Sequence, residues 1–218
     1  MEYFTFKHVR SSKEREKNEE QKNHKQQEIW TAKAEKNLKI KTMVKTQKYC
    51  SDRDFTKLTV YDKKVLLSFA KELHVQFELG LHRFKTKVFD TKNDIIVFVD
   101  RLDKEKVVGG MIFKIIPDKK LCSLEYICTN EAYKRNGLGR HLLNQLLKQM
   151  ENKDVDAILV CSLSESIDFY KKCGYSCGQS LFSDNECKTL LSWYRTCTVM
   201  SYSFSKTKRA LKPSNEFS

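Results

Sequence analysis

The sequence predicts an α+β protein: a mixed sheet made of an antiparallel meander with one parallel crossover, flanked by helices. Three observations carry this expectation. Three strand-like segments follow one another in the middle of the chain, joined by short polar connections of hairpin length. Beyond them the pattern becomes strand, helix, strand, helix, strand, and such a unit returns in parallel by a right-handed crossover. Ahead of them stands an amphipathic helix whose apolar stripe needs a sheet to cover it.

Taken in order, residues 39–47 (KIKTMVKTQ) alternate as a strand does. Over residues 62–77, Val65, Leu66, Phe69, Ala70, Leu73 and Phe77 recur at helical spacing behind Asp62 as a cap, and Gly80 ends the helix. The stretch GLHRFKTKVFDTKN that follows reads as a loop. Residues 95–99, 107–116 and 121–129 are the strands of the meander, with RLDKEK and PDKK as their connections. After Gly137, the side chains of Leu138, Leu142, Leu143, Leu146, Leu147 and Met150 form one apolar stripe. Residues 157–161 suit a short buried strand, 164–172 a short helix ended by Gly174, and 196–204 alternate again.

A chain of 218 residues holds one ordinary domain plus an extension, or two small ones. With 40% apolar and 32% charged residues it can build a core, and with seven glycines and two prolines it is neither collagen-like nor a Gly- or Pro-rich linker. No apolar run approaches the roughly 18–20 residues of a membrane span, and the first residues lack the apolar core of a secretory signal. The expectation is an intracellular protein, nuclear and/or cytoplasmic. Eight cysteines without a CxxC pair read as reduced core thiols, and no metal is expected.

The formal net charge of +13 is unevenly spread: residues 1–50 hold eleven lysines and two arginines against seven glutamates. Residues 11–28 contain no apolar side chain, so the N-terminal part is expected to be a charged helix or a disordered arm. Such a surplus attracts anionic partners, whether nucleic acid, anionic lipid or a phosphorylated cofactor, without choosing among them.

The chemistry gathers in the stretch that leaves the strand at 124–129 and opens the next helix, through Lys134, Arg135, Asn136, Gly137, Leu138, Gly139 and Arg140. A helix N-terminus leaves backbone N–H groups unpaired and carries partial positive charge, and glycines let the backbone approach an anion closely, so this turn is built to hold a phosphate or pyrophosphate. A P-loop would need GxxxxGK[ST] and a dinucleotide fingerprint would need GxGxxG; neither is present. A plain strand-to-helix turn accounts for the glycines equally well.

Here the sequence resembles the GNAT superfamily of acyl-CoA-dependent N-acetyltransferases. That family's loop, [Q/R]-x-x-G-x-[G/A], reads Lys134-Arg135-Asn136-Gly137-Leu138-Gly139, with lysine preserving a cation at the first position. Its second signature, a short helix resembling A-x-x-F-Y-x-x-x-G-[F/Y], is met by Ser166, Phe169, Tyr170, Gly174 and Tyr175. The close match spans residues 107–175, and the domains expected are a charged extension over 1–38, the GNAT domain over 39–205 and a polar tail over 206–218.

What the resemblance implies is a V-shaped opening between the strands at 124–129 and 157–161. The pantetheine arm of acetyl-CoA would pair with backbone near Ile127, Cys128 and Thr129, and its pyrophosphate would rest on the amides of 135–140, beside Lys134. The amine would attack the thioester directly in a ternary complex, which asks for a base toward the ammonium and an acid toward the departing thiolate. Tyr170 matches the position that protonates the sulfur, while Phe169 is expected to point into the core. Glu125 is the base candidate; strand alternation places it on one face with Ile127, opposite Tyr126 and Cys128. Glu131, Asp168 and His141 read as solvated or supporting groups, and Cys128 and Cys161 as core thiols.

Acceptor recognition is expected in 62–92 and 181–195, where Asp184 and Glu186 form an acidic cluster, and residues 206–209 are a short basic cluster of nuclear-import type. The expected activity is acetyl transfer from acetyl-CoA to an amine on a protein, a lysine or an N-terminal amine. The alternatives are a small-molecule amine acetyltransferase and a non-catalytic subunit or nucleic-acid-docking module working through residues 1–50.

Overall fold

The computed structural model describes residues 44–51, 54–177 and 197–204. The expectations for the arm at 1–38, for the segment 181–195 and for the tail at 206–218 lie outside them.

Seven strands form one sheet in the order β1-β2-β3-β4-β5-β7-β6. They are β1 (Val44–Tyr49), β2 (Asp94–Asp100), β3 (Val107–Ile116), β4 (Leu121–Thr129), β5 (Ala157–Ser162), β6 (Ser176–Cys177) and β7 (Thr198–Ser203). Every neighbouring pair is antiparallel except β4 with β5. Helix α3 (Leu138–Glu151) makes the crossover between those two, as the strand-helix-strand pattern predicts. Strand β7 slots between β5 and the two-residue β6, an order that periodicity does not encode.

On one face, α1 (Val60–Phe77) and α2 (Leu81–Val88) bury Val65, Leu66, Phe69, Ala70, Leu73, Phe84 and Val88 against Ile95, Val97, Val99, Ile112 and Tyr126 of the sheet. Each of the Val, Leu, Ile and Phe side chains among them contributes about 1.5–3 kcal/mol relative to exposure. Phe98, between Val97 and Val99 in β2, points to the opposite face and meets the ring of His141 on α3 at 5.4 Å. Helix α3 there buries Leu138, Leu142, Leu143, Leu146 and Met150, the predicted stripe with Leu147 left half-buried.

Two local expectations are corrected. Helix α1 is capped by Thr59, not Asp62: the Thr59 hydroxyl accepts from the Asp62 amide at 3.0 Å, and the Asp62 carboxylate accepts from the Thr59 amide at 3.1 Å. Asp62 is the third-residue partner of a capping box. The helix ends at Glu78, in the left-handed region at φ 54°, and Gly80 starts α2 instead of stopping α1. Residues read as a loop are therefore helical from Leu81 to Val88, held by Leu81, Phe84 and Val88 at i, i+3 and i+7, spacing masked by the cationic residues between them.

Candidate active site

The β4–β5 ladder runs from Leu121 opposite Ala157 to Leu124 opposite Val160 and stops there. Strand β4 continues to Thr129 with β3 as its partner, and beyond Leu124 its other edge has no strand neighbour among the described residues. The expected opening is therefore present, and it begins at Glu125.

Glu125 is also where the β3–β4 register slips. Ile112 faces Tyr126 and Phe113 faces Leu124, so Glu125 has no opposite residue and forms a bulge. A bulge redirects side chains. The Glu125 carboxylate receives Lys87 Nζ from α2 at 2.6 Å, the two side chains being 11% and 25% exposed. The next residue, Tyr126, packs edge-on against Phe77 and Phe84, with ring centroids 5.4 and 5.3 Å away. Both neighbours thus reach the α1–α2 layer, and the simple alternation expected of the strand fails here. Ile127 and Thr129 are half-buried opposite Met111 and Gly109, while Cys128 is buried in the core. Burial pushes the Cys128 thiol well above the usual thiol range, which removes it as a nucleophile at neutral pH.

After β4, Asn130 Oδ1 accepts from the Ala132 amide, and the Asn130 amide donates to Val108 O at 2.9 Å, anchoring the turn to β3. Lys134 pairs with Glu131. Arg135 and Gly137 lie in the left-handed region at φ 64° and 82°, a conformation glycine adopts freely and arginine does not. Gly137 caps α3 without any side-chain hydrogen bond, and the first helical bond runs from the His141 amide to Gly137 O at 3.0 Å. The first-turn amides at Leu138, Gly139 and Arg140 have no intrahelical acceptor, and no cap side chain satisfies them. Leu138 is buried and holds the turn down; Arg135 and Arg140 are exposed, and Asn136 donates to Tyr133 O at 3.3 Å.

Tyr170 lies on α4 (Ile167–Lys172), which follows β5. The expected roles of its aromatic pair are reversed in placement. Tyr170 is the buried ring at 5% exposure, and Phe169 is half-buried against Gly139, where a Cβ would come within 3.2 Å of the Phe169 ring. The Tyr170 ring stacks with Phe169 at 5.2 Å and Tyr175 at 5.4 Å. Burial, with the nearby Cys173 and Cys161 thiols, pushes its phenol far above the ordinary range, so it is a protonated donor at any physiological pH. Burial also raises the Cys173 thiol, opposed by the Arg140 guanidinium beside it.

The structure thus brings residues 137–140 together with α4 and sets Glu125 at the mouth of the opening. Glu131 and Asp168 are exposed, and His141 packs on Phe98. Lys87 is the partner of Glu125 that sequence reading misses, and Phe169, named by the motif, lies against Gly139 instead of in the core. Lys87 sits in the stretch read as a loop, 38 residues from its partner, and no motif links them. Among the described residues, no cluster of three or more His, Cys, Asp or Glu side chains is arranged to hold a metal.

Comparison with known proteins adds the following. The family described as "Acetyltransferase (GNAT) family" matches residues 66–175. The crystal structure of Tetrahymena GCN5 superposes with a TM-score of 0.62 at 18% identity, over 73% of this chain and 95% of that one. The catalytic domain of Tetrahymena GCN5 histone acetyltransferase in complex with coenzyme A gives 0.57 at 18% identity, over 73% and 92%. Escherichia coli ElaA gives 0.54 at 12% identity, over 74% of this chain and 100% of that one. At these identities the likeness is one of fold.

Proposed function

Because the chain belongs to the GNAT acetyltransferase family, we propose that it moves the acetyl group of acetyl-CoA directly onto a primary amine, and that this amine is carried by a protein. The observation that carries the reading is the coincidence of two features. The sheet opens after Leu124 and Val160, and the helix start at Gly137 has no side-chain cap, with Gly139 against Phe169. The residues fit acetyl-CoA on this ground: the amides that follow Gly137 are donors without intrahelical acceptors or a side-chain cap, the arrangement an anion needs.

In this reading the amides of Leu138, Gly139 and Arg140 hold the diphosphate, with Lys134, Arg135 and Asn136 at its rim. The free edge of β4 at Ile127, Cys128 and Thr129 offers backbone partners to the pantetheine arm. Bound acetyl-CoA supplies an activated acyl carbon and a thiolate leaving group. Glu125 takes the acceptor's proton, and the Tyr170 hydroxyl donates toward the sulfur. That Glu125 already holds an aliphatic ammonium, Lys87, supports a lysine-like acceptor over a bulky or aromatic amine.

The test is a thermal-shift titration followed by product analysis. Acetyl-CoA at a hundredfold excess over its Kd should stabilise the protein by about 2.7 kcal/mol. Protein lysines in a cell extract should gain acetyl groups, with matching release of CoA. Acetylation confined to small amines would move the acceptor to the alternative class. Stabilisation without CoA release would leave a binding module and remove the enzyme.

A further inference from the structure

The contact between Lys87 and Glu125 has a chemical meaning beyond charge balance. If Glu125 is the base, an acceptor amine must donate a hydrogen bond to its carboxylate while its nitrogen faces the opening of the sheet. Lys87 Nζ already makes that bond at 2.6 Å, to the first residue of β4 beyond the end of the β5 ladder. The chain holds it there firmly. Phe84 and Val88 on the same helix are fully buried, and Asn93, itself 2% exposed, donates through its side-chain amide to Lys87 O at 3.0 Å. Lys63, Lys64, Lys71 and Lys85 on the same two helices are exposed instead.

We propose that Lys87 is a modification site: the protein acetylates Lys87 Nζ in cis from a bound acyl thioester. The inference rests on the functional reading above. Lys87 passes one proton to Glu125 along the existing hydrogen bond, and the freed nitrogen lone pair attacks the thioester carbonyl carbon. The C–N bond forms as the C–S bond breaks; the nitrogen gives its second proton to solvent, the sulfur keeps the electron pair and takes a proton from Tyr170, Tyr170 regains one from solvent, and Glu125 releases the one it took. One ammonium and one acetyl thioester become one amide, one thiol and one released proton, so no further reactant is needed. The acetylated side chain is neutral and no longer pairs with Glu125, which leaves the carboxylate without its internal cation.

The test uses the full chain and acetyl-CoA carrying an isotopically heavy acetyl group, with peptide mass spectrometry and no added acceptor. Lys87 should acquire heavy acetyl ahead of Lys63, Lys71 and Lys85, at a first-order rate independent of protein concentration. Trace acetic anhydride, without acetyl-CoA, should reverse that order, because Lys87 is shielded and ion-paired. Glu125→Gln should slow Lys87 labelling by acetyl-CoA by roughly a hundredfold, the low end for a positioned general base, without slowing its labelling by acetic anhydride. Lys87→Arg locates the label. Labelling of Lys87 no faster than its exposed neighbours, or a rate that grows with protein concentration, overturns the proposal. If an added amine is acetylated under those same conditions, the functional reading survives that failure. If acetyl-CoA neither raises the melting temperature nor acetylates any amine, both fall.

Discussion

Tyr170 and Tyr175 are neighbouring buried phenols with opposite prospects. Tyr170 is named by a motif, and its burial keeps the proton that a departing thiolate would need. Tyr170→Phe should lower kcat by about a hundredfold while the melting temperature stays close to that of the parent, since the ring packing is retained. Tyr175 is equally buried, but its hydroxyl has no hydrogen-bond partner. Tyr175→Phe should therefore be neutral or stabilising by up to about 1 kcal/mol, read by urea unfolding. Burial raises both phenols, so the stability they contribute is complete below the ordinary phenol pKa of about 10 and is lost as pH rises above it. The double Phe variant should show a shallower alkaline loss of stability than the parent. At this scale the motif residues were legible because their spacing is local. Lys87 was not, because its role depends on a bulge that only the packed sheet reveals.

Among the elements, α1 and β3 show where local chemistry speaks and where it is silent. The Thr59–Asp62 capping box should make Thr59→Ala cost about 1 kcal/mol. The Thr59 hydroxyl, first among its causes, holds the Asp62 carboxyl below its usual range. A depressed folded pKa gives stability that is present above the ordinary carboxylate range and lost as pH falls through the folded value. Thr59→Ala should accordingly shrink the acid-induced loss, measured by thermal melts from pH 7 downward. In β3, a Cβ on Gly110 would lie 2.7 Å from the Phe69 ring and 2.9 Å from Ile96 O. Gly110→Ala should destabilise by about 1–3 kcal/mol, seen as a lower urea midpoint. The apolar stripes of α1 and α3 and the three meander strands were legible from periodicity. Helix α2 was hidden because its three anchors are diluted by charge, and Gly80 carries a turn signal that serves a helix start equally well.

For the whole molecule, the mixed sheet and its parallel pair followed from element order alone. The insertion of β7 beside β5 did not, because β6 is too short to announce itself and the pairing joins segments distant in the chain. The ladder that creates the opening also has a mechanical side. Between β4 and β5 the two halves of the sheet are stitched over four residues, whereas β3 and β4 are joined along almost their full length. That stitch is also the parallel one, which cannot zip until α3 has wound between its strands. The β1–β4 part is thus expected to fold first, and the β5-β7-β6 flap to dock late and peel early. In native-state hydrogen exchange, amides of β5 should open at lower free energy than those of β2 and β3. A ligand wedged at the seam would then act as a clasp, slowing exchange across both sides at once.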